Sequence, residues 1–238
     1  MKNLMLALVF SCAAVAGRGS EQASPEAGGA HPVSRNMGGR ENIEWSMAYS
    51  WNMTDKLSTL PRVFLVGDSI TAQYSADVRN ALKDKMTVSY WASSYCITRP
   101  VYRRFLEAYL AEAEYAVVHF HSGAHSFRTD INEWKKSLKD IFLTIRRMQP
   151  KARLVWSTCT PLRKPESCEK MKEFNAAAAE VIAEVGVDAV DDQFALVSAC
   201  DKEEPWTDGV HLKDYVRAEQ GRQIAEQCIA LMGCRARE

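Results

Sequence analysis

"RVFLVGDSITAQY" (residues 62–74) is the stretch on which the reading of this chain turns. Val63, Phe64, Leu65 and Val66 form an unbroken apolar run, the pattern of a strand buried on both faces, and the run ends abruptly in Gly67-Asp68-Ser69. The residues after Ser69 have helical periodicity, so the polar turn sits where a helix begins. One reading is structural: Asp68 or Ser69 caps the helix, and Asp68 is assigned that part. The other is chemical. A serine hydroxyl at the positive end of a helix dipole is a candidate nucleophile if a base and an orienting group reach it from elsewhere in the chain.

Working outward, strand-like runs at 62–67, 86–91, 115–121, 152–158 and 186–190 alternate with amphipathic segments near 71–84, 101–113, 130–148, 167–184 and 213–232. Strands alternating with helices of this length imply βαβ units. The expected fold is α/β, a three-layer α/β/α sandwich with a five-stranded parallel sheet of flavodoxin-like type. Its ligands should bind at the carboxyl ends of the strands. The 238 residues suffice for one such domain, and no internal repeat or second domain is evident.

Residues 1–16 read as a signal peptide: a charge at Lys2, an apolar run over 4–15, then small residues. Two processing routes stay open. "VFSC" ending at Cys12 resembles a lipobox and would leave a lipid anchor there, whereas cleavage near Ala16 would release a soluble exported protein. Residues 17–40 are rich in Gly, Ser, Ala, Pro and Glu and read as a flexible tether. Residues 41–238 form the domain, with an N-terminal arm at 41–61 that carries Trp45 and Trp51. The expected location is periplasmic, extracellular or anchored at the cell envelope.

Thirty basic and thirty acidic side chains cancel, so no field favours nucleic acid, and the only expected membrane link is the anchor at Cys12. Of seven cysteines, six lie outside the signal segment. An even number in an exported chain permits three disulfides, with Cys159 and Cys168 the best local pair.

Three polar segments fall at strand ends or before the last helix: Ser69, "HSGAHS" (residues 121–126) and "WTDGVHL" (residues 206–212). Asp208 and His211 are three apart in one loop, a spacing that lets the carboxylate fold back on the imidazole and leaves the ring free to lean toward Ser69. With Gly-Asp-Ser after the first strand, a glycine in the third-strand loop and Asp-x-x-His near the C-terminus, the chain resembles the SGNH, or GDSL-type, hydrolases over residues 45 to 232.

That resemblance implies Ser69 as nucleophile, His211 as general base and then acid, and Asp208 as its orienter. It implies an oxyanion hole made of the Ser69 N–H, a backbone N–H after the second strand, and a donor in the third-strand loop near Gly123. Two positions depart from the family pattern. The second-strand loop "WASSYCITRP" has no glycine, which leaves its donor unassigned within residues 92–97. His125 stands where the family has asparagine, and a neutral imidazole N–H there would donate to the oxyanion.

Rival readings remain. His119, His121 and His125 form an H-x-H-x3-H set with spacing that zinc tolerates, although His119 also reads as a buried strand histidine. Asp191 and Asp192 are read as satisfying loop backbone groups. Trp206 is a core residue or a platform for substrate. The expectation is an exported serine esterase without a cofactor, removing short acyl groups, acetyl above all, from a glycan or small-molecule ester. The alternatives are a lysophospholipase or thioesterase of the same family, and a lipoprotein that binds glycan without catalysis.

Overall fold

The computed structural model describes residues 40–200 and 204–235. Residues 1–39, on which the expected signal peptide, Cys12 and most of the expected tether fall, and the side chain of Cys234 lie outside the described residues.

The strands are β1 (Ser46–Ser50), β2 (Arg62–Gly67), β3 (Thr87–Ser93), β4 (Val117–His121), β5 (Arg153–Ser157) and β6 (Ala189–Asp191). The helices are α1 (Ser69–Ala81), α2 (Pro100–Leu110), α3 (Ile131–Met148), α4 (Pro165–Val185), α5 (Gln193–Ser198) and α6 (Asp214–Arg235). The sheet order is β1-β3-β2-β4-β5-β6, with every neighbouring pair parallel except β1 with β3. The parallel part is the five-stranded flavodoxin-like order expected from the sequence.

The sixth strand corrects that expectation. β1 comes from the N-terminal arm and pairs antiparallel from Ser46↔Ser93 to Ser50↔Ser89. "SMAYS" carries no apolar run and is mostly exposed, so its strand conformation comes from the β3 edge it covers. The turn after it is pinned by the buried Arg62, whose guanidinium donates to the carbonyls of Trp51 at 2.8 Å and Asn52 at 2.9 Å.

Period-two alternation splits the sheet into two cores. Phe64, Val66, Trp91, Val118, Phe120, Leu154 and Trp156 face α2, α3 and α4, meeting Tyr102, Leu106, Trp134, Phe142 and Phe174. Val63, Leu65, Val88, Val117 and Val155 face the other way, against Ile70, Tyr74 and Val78 of α1 and Ile224 and Cys228 of α6. His119 and His121 share parity with Val117, which puts them beneath α1.

The close contact of α1 with α6 depends on Gly221. A Cβ there would lie 2.6 Å from Asp77 Cβ and 2.8 Å from the Asp77 carbonyl carbon. Gly221→Ala gains about 1 kcal/mol of helix propensity but forces backbone apart, an overpacking cost of about 1–3 kcal/mol. The second effect wins because the obstacle is main chain, so a lower urea midpoint than wild type is expected. A higher midpoint would show that the two helices separate freely.

The cysteine expectation is also corrected. Cys96, Cys159, Cys168 and Cys228 are free thiols, and Cys159 is buried with its Sγ–H donating to the Ser122 carbonyl at 3.0 Å. Local spacing suggested the Cys159–Cys168 pair; tertiary packing instead turns Cys159 under the loop after β4.

β2 leads to β3 on one side and β4 lies on its other side, so the strand order reverses around β2. The crevice outside the carboxyl ends of these strands is where doubly wound sheets place ligands. Ser69 begins α1 directly at that point.

Candidate active site

Asp68 is the N-cap of α1, as the sequence indicated: its Oδ1 accepts the Ile70 N–H at 2.9 Å. Ser69 therefore occupies the first helical position, where its own N–H has no intrahelical acceptor and the dipole favours negative charge. The half-buried Ser69 Oγ lies 2.9 Å from His211 Nε2, and His211 Nδ1 lies 2.7 Å from Asp208 Oδ2. The pair bridges 142 positions of sequence.

The loop that carries His211 is folded by its own carboxylate. Asp208 Oδ1 accepts the N–H groups of Val210 at 2.7 Å and His211 at 2.8 Å, while Thr207 N–H closes the turn on the His211 carbonyl at 2.8 Å. The hydrogen bond from His211, reinforced by these two backbone donors, holds Asp208 well below the ordinary carboxylate range. An ionised Asp208 takes the Nδ1–H of His211 and leaves the Nε2 lone pair facing the Ser69 hydroxyl. This arrangement can draw a proton from Ser69 as the oxygen attacks an electrophile.

Trp206 anchors the same loop. Its Nε1–H donates to the Pro161 carbonyl at 3.1 Å, its backbone bridges to Leu212, and its ring packs against the small cluster of Val197, Leu212 and Val216. The half-buried indole is occupied by these contacts.

A narrow cleft adjoins the turn before Ser69, with Gly67, Asp68, Ser93, Tyr95, Gly123 and His125 among its walls. Of the 92–97 segment, Ser93 at the end of β3 and Tyr95 in the loop after it line this cleft. Gly123 is fixed by close approach: a Cβ there would sit 2.3 Å from Cys159 Sγ.

His125 reaches the cleft but has a partner that the sequence did not reveal. Its Nδ1 lies 2.6 Å from Glu41 Oε1, and its ring meets Trp45 edge-on at 6.2 Å. A neutral ring that donates its Nδ1–H to Glu41 carries a lone pair at Nε2, so the N–H that the family resemblance implies for the oxyanion is then spent on the arm. No local pattern flags Glu41, which lies 84 positions away.

The three histidines of the zinc alternative are separately engaged. His119 Nε2 bonds Asp191 Oδ2 at 2.8 Å beneath α1, His121 Nε2 stands 3.6 Å from Asp68 Oδ2, and His125 holds Glu41. Among the described residues no group of three or more His, Cys, Asp or Glu side chains is arranged to hold a metal ion. Burial pushes His121 down, against the pull of the Asp68 carboxylate.

Asp191 departs from the sequence reading. Its carboxylate is the buried centre of a side-chain network, accepting from His119, from Gln193 at 2.8 Å and from Gln223 at 2.7 Å. Burial alone would raise it, but the hydrogen bonds led by His119 outweigh burial and it stays low. Asp192 does serve backbone, capping α5 through Ala195 N–H at 3.0 Å.

No protein-family model matches the chain, and no curated protein matches it in sequence. Solved structures do match. A carbohydrate acetylesterase from Sinorhizobium meliloti is 16% identical, with a TM-score of 0.57, covering 72% of this chain and 99% of its own. An aryl esterase from M. smegmatis is 14% identical at a TM-score of 0.59, covering 72% and 99%. A lipase/acylhydrolase from Enterococcus faecalis is 17% identical at 0.57, covering 71% and 95%. Another similar structure, from Parabacteroides merdae, carries the description GDSL-like lipase. The fold of this chain is that of the GDSL, or SGNH-type, hydrolases.

Proposed function

We propose that this protein is a carboxylic ester hydrolase that removes short acyl groups, acetyl in particular, from carbohydrate through an acyl-enzyme on Ser69. The observation that carries the proposal is the hydrogen-bonded line Ser69–His211–Asp208 at the N-terminus of α1. Ser69 Oγ attacks the ester carbonyl carbon while its proton passes to His211 Nε2. The tetrahedral intermediate places its charge beside the Ser69 N–H and the α1 dipole. It then collapses, the C–O bond to the sugar breaks, and the sugar oxygen takes the proton from Nε2. Water repeats the sequence on the acyl-enzyme, giving its proton to His211, and the acid leaves as Ser69 Oγ is reprotonated. Asp208 holds the neutral ring in the required tautomer and stabilises the imidazolium that forms when Nε2 takes the proton.

Short acyl chains are favoured because the cleft beside Ser69 is narrow and has no aliphatic side chain among its walls. A long chain would have little apolar wall against which to gain the roughly 0.8 kcal/mol available per buried methylene. The structurally similar proteins include carbohydrate and acetylxylan esterases, which supports a sugar ester. Residues 1–16, read as a signal peptide, support action outside the cytoplasm, where polymeric glycans are met.

A fluorophosphonate probe should label Ser69, and labelling should vanish when His211 is replaced. Well-folded wild-type protein that resists the probe would favour a glycan binder without catalysis. On p-nitrophenyl esters from acetate to palmitate, kcat/KM should peak at two to four carbons. A rise through eight or more carbons would instead indicate a lysophospholipase or thioesterase.

A further inference from the structure

Beside the narrow cleft lies a roomier pocket of about 340 Å³, between the N-terminal arm and the loop after β4. Its walls include Arg40, Glu41, Asn42, His125, Phe127 and Arg128. The arm forms one side only because it is fastened down: Glu41 to His125, Glu44 to Arg99, and the Trp45 N–H to Ser94 Oγ at 2.9 Å with the Ser94 N–H returned to the Trp45 carbonyl at 3.1 Å. His125 belongs to both cavities and so stands between a ligand in the larger one and the cleft that Gly67 and Asp68 help to line.

The charges of this pocket are unevenly settled. Glu41 is taken by His125, and Arg40 by Glu44 at 3.0 Å. Arg128 is exposed and makes no ion pair or hydrogen bond among the described residues. Next to it Phe127 is 37% exposed, and with Ala124 it gives the pocket an apolar wall beside the charged groups. A guanidinium fork without a partner matches the two oxygens of a carboxylate, a flat apolar face matches the C–H side of a sugar ring, and the Asn42 amide can both give and accept hydrogen bonds with ring hydroxyls. A pocket this size falls at the small end of ligand sites, which suits a single sugar unit.

We propose that this pocket binds a uronate ring of the acylated glycan, with its carboxylate on Arg128 and its apolar face on Phe127, so that the enzyme selects acetylated acidic polysaccharides over neutral ones. The inference rests on the carbohydrate-ester reading of the Ser69 site and adds the chemical class of the sugar to it.

The test uses three substrates with the wild-type protein, Arg128→Ala and Arg128→Lys: acetylated polygalacturonate, acetylated neutral xylan and p-nitrophenyl acetate. Wild type should prefer the acetylated polygalacturonate over the xylan at least tenfold in kcat/KM, and added sodium chloride should narrow the margin. In Arg128→Ala the ratio of kcat/KM between polygalacturonate and p-nitrophenyl acetate should fall at least tenfold, mostly through KM, with Arg128→Lys intermediate. Equal wild-type rates on acidic and neutral polymers would overturn the proposal, as would an Arg128→Ala loss of the same size on all three esters. Hydrolysis of p-nitrophenyl acetate without preference among polymers leaves the esterase standing and removes the uronate site. No hydrolysis of any of the three removes both.

Discussion

Purified Ser69→Ala should hydrolyse p-nitrophenyl acetate about 10⁴- to 10⁶-fold more slowly than wild type in kcat, and His211→Ala should fall into the same range, because nucleophile and base act as one unit. The double variant should be scarcely slower than either single one, which distinguishes a shared step from two independent contributions. Stability should change little. Ser69 Oγ is not the cap of α1, since Asp68 holds the Ile70 N–H, and the Oγ–Nε2 bond sits at a partly exposed rim where one lost hydrogen bond costs about 1 kcal/mol. Matching thermal midpoints with a collapsed kcat would therefore locate the effect in the chemistry. Ser69→Ala protein that keeps more than a tenth of wild-type activity would overturn the mechanism.

Asp208→Asn should lower kcat by about 10³- to 10⁴-fold, and the reason lies in how the two carboxylate oxygens are used. Oδ1 receives two backbone N–H groups, from Val210 and His211, and Oδ2 receives the His211 ring. An asparagine has one oxygen. Two backbone donors hold it at the Oδ1 position, so the amide NH₂ turns toward Nδ1 and makes that nitrogen an acceptor. The neutral ring then carries its proton on Nε2, facing Ser69, and cannot take another from it. Asp208→Ala lacks this inverted preference and should be no worse than Asp208→Asn. If Asn proved much the milder of the two, the tautomer argument would fail.

Asp208 also bears on pH. Because its hydrogen bonds hold it below the ordinary carboxylate range, it stays ionised as the medium is acidified, and its contribution to folding is present above the unfolded carboxylate value and fades only as pH falls toward the lowered folded one. It lies on an exposed loop, where solvent screens that contribution.

Local sequence determined the parallel sheet and the polar segments at its edge. "VFLV" and "VVHFH" are short, mostly apolar runs bounded by polar turns in an alternation with helical segments, which reads as buried strands, and α3 is framed by its own Asp130 cap. The Asp208–His211 turn is likewise local, three residues closing on themselves through backbone and side chain. Given a parallel α/β sheet, the reach of His211 to Ser69 comes from topology, because both lie at the edge where the carboxyl ends of the strands emerge. Even Gly123 was visible, though its reason, the Cys159 sulfur 2.3 Å from where a Cβ would stand, was not.

Tertiary structure alone decided what depends on a distant partner. β1 is a strand because β3 offers it an edge, and α5 is a six-residue helix capped by Asp192 that helical periodicity is too short to reveal. His119 and Asp191 meet because β4 lies two strands from β6 and both point beneath α1, a coincidence of register that neither segment encodes by itself. Cys159 followed burial and not its spacing from Cys168. His125 is the sharpest instance: its residue type announced a polar role beside the cleft, but which nitrogen carries the proton is set by Glu41, 84 residues earlier in an arm that only the folded sheet brings alongside.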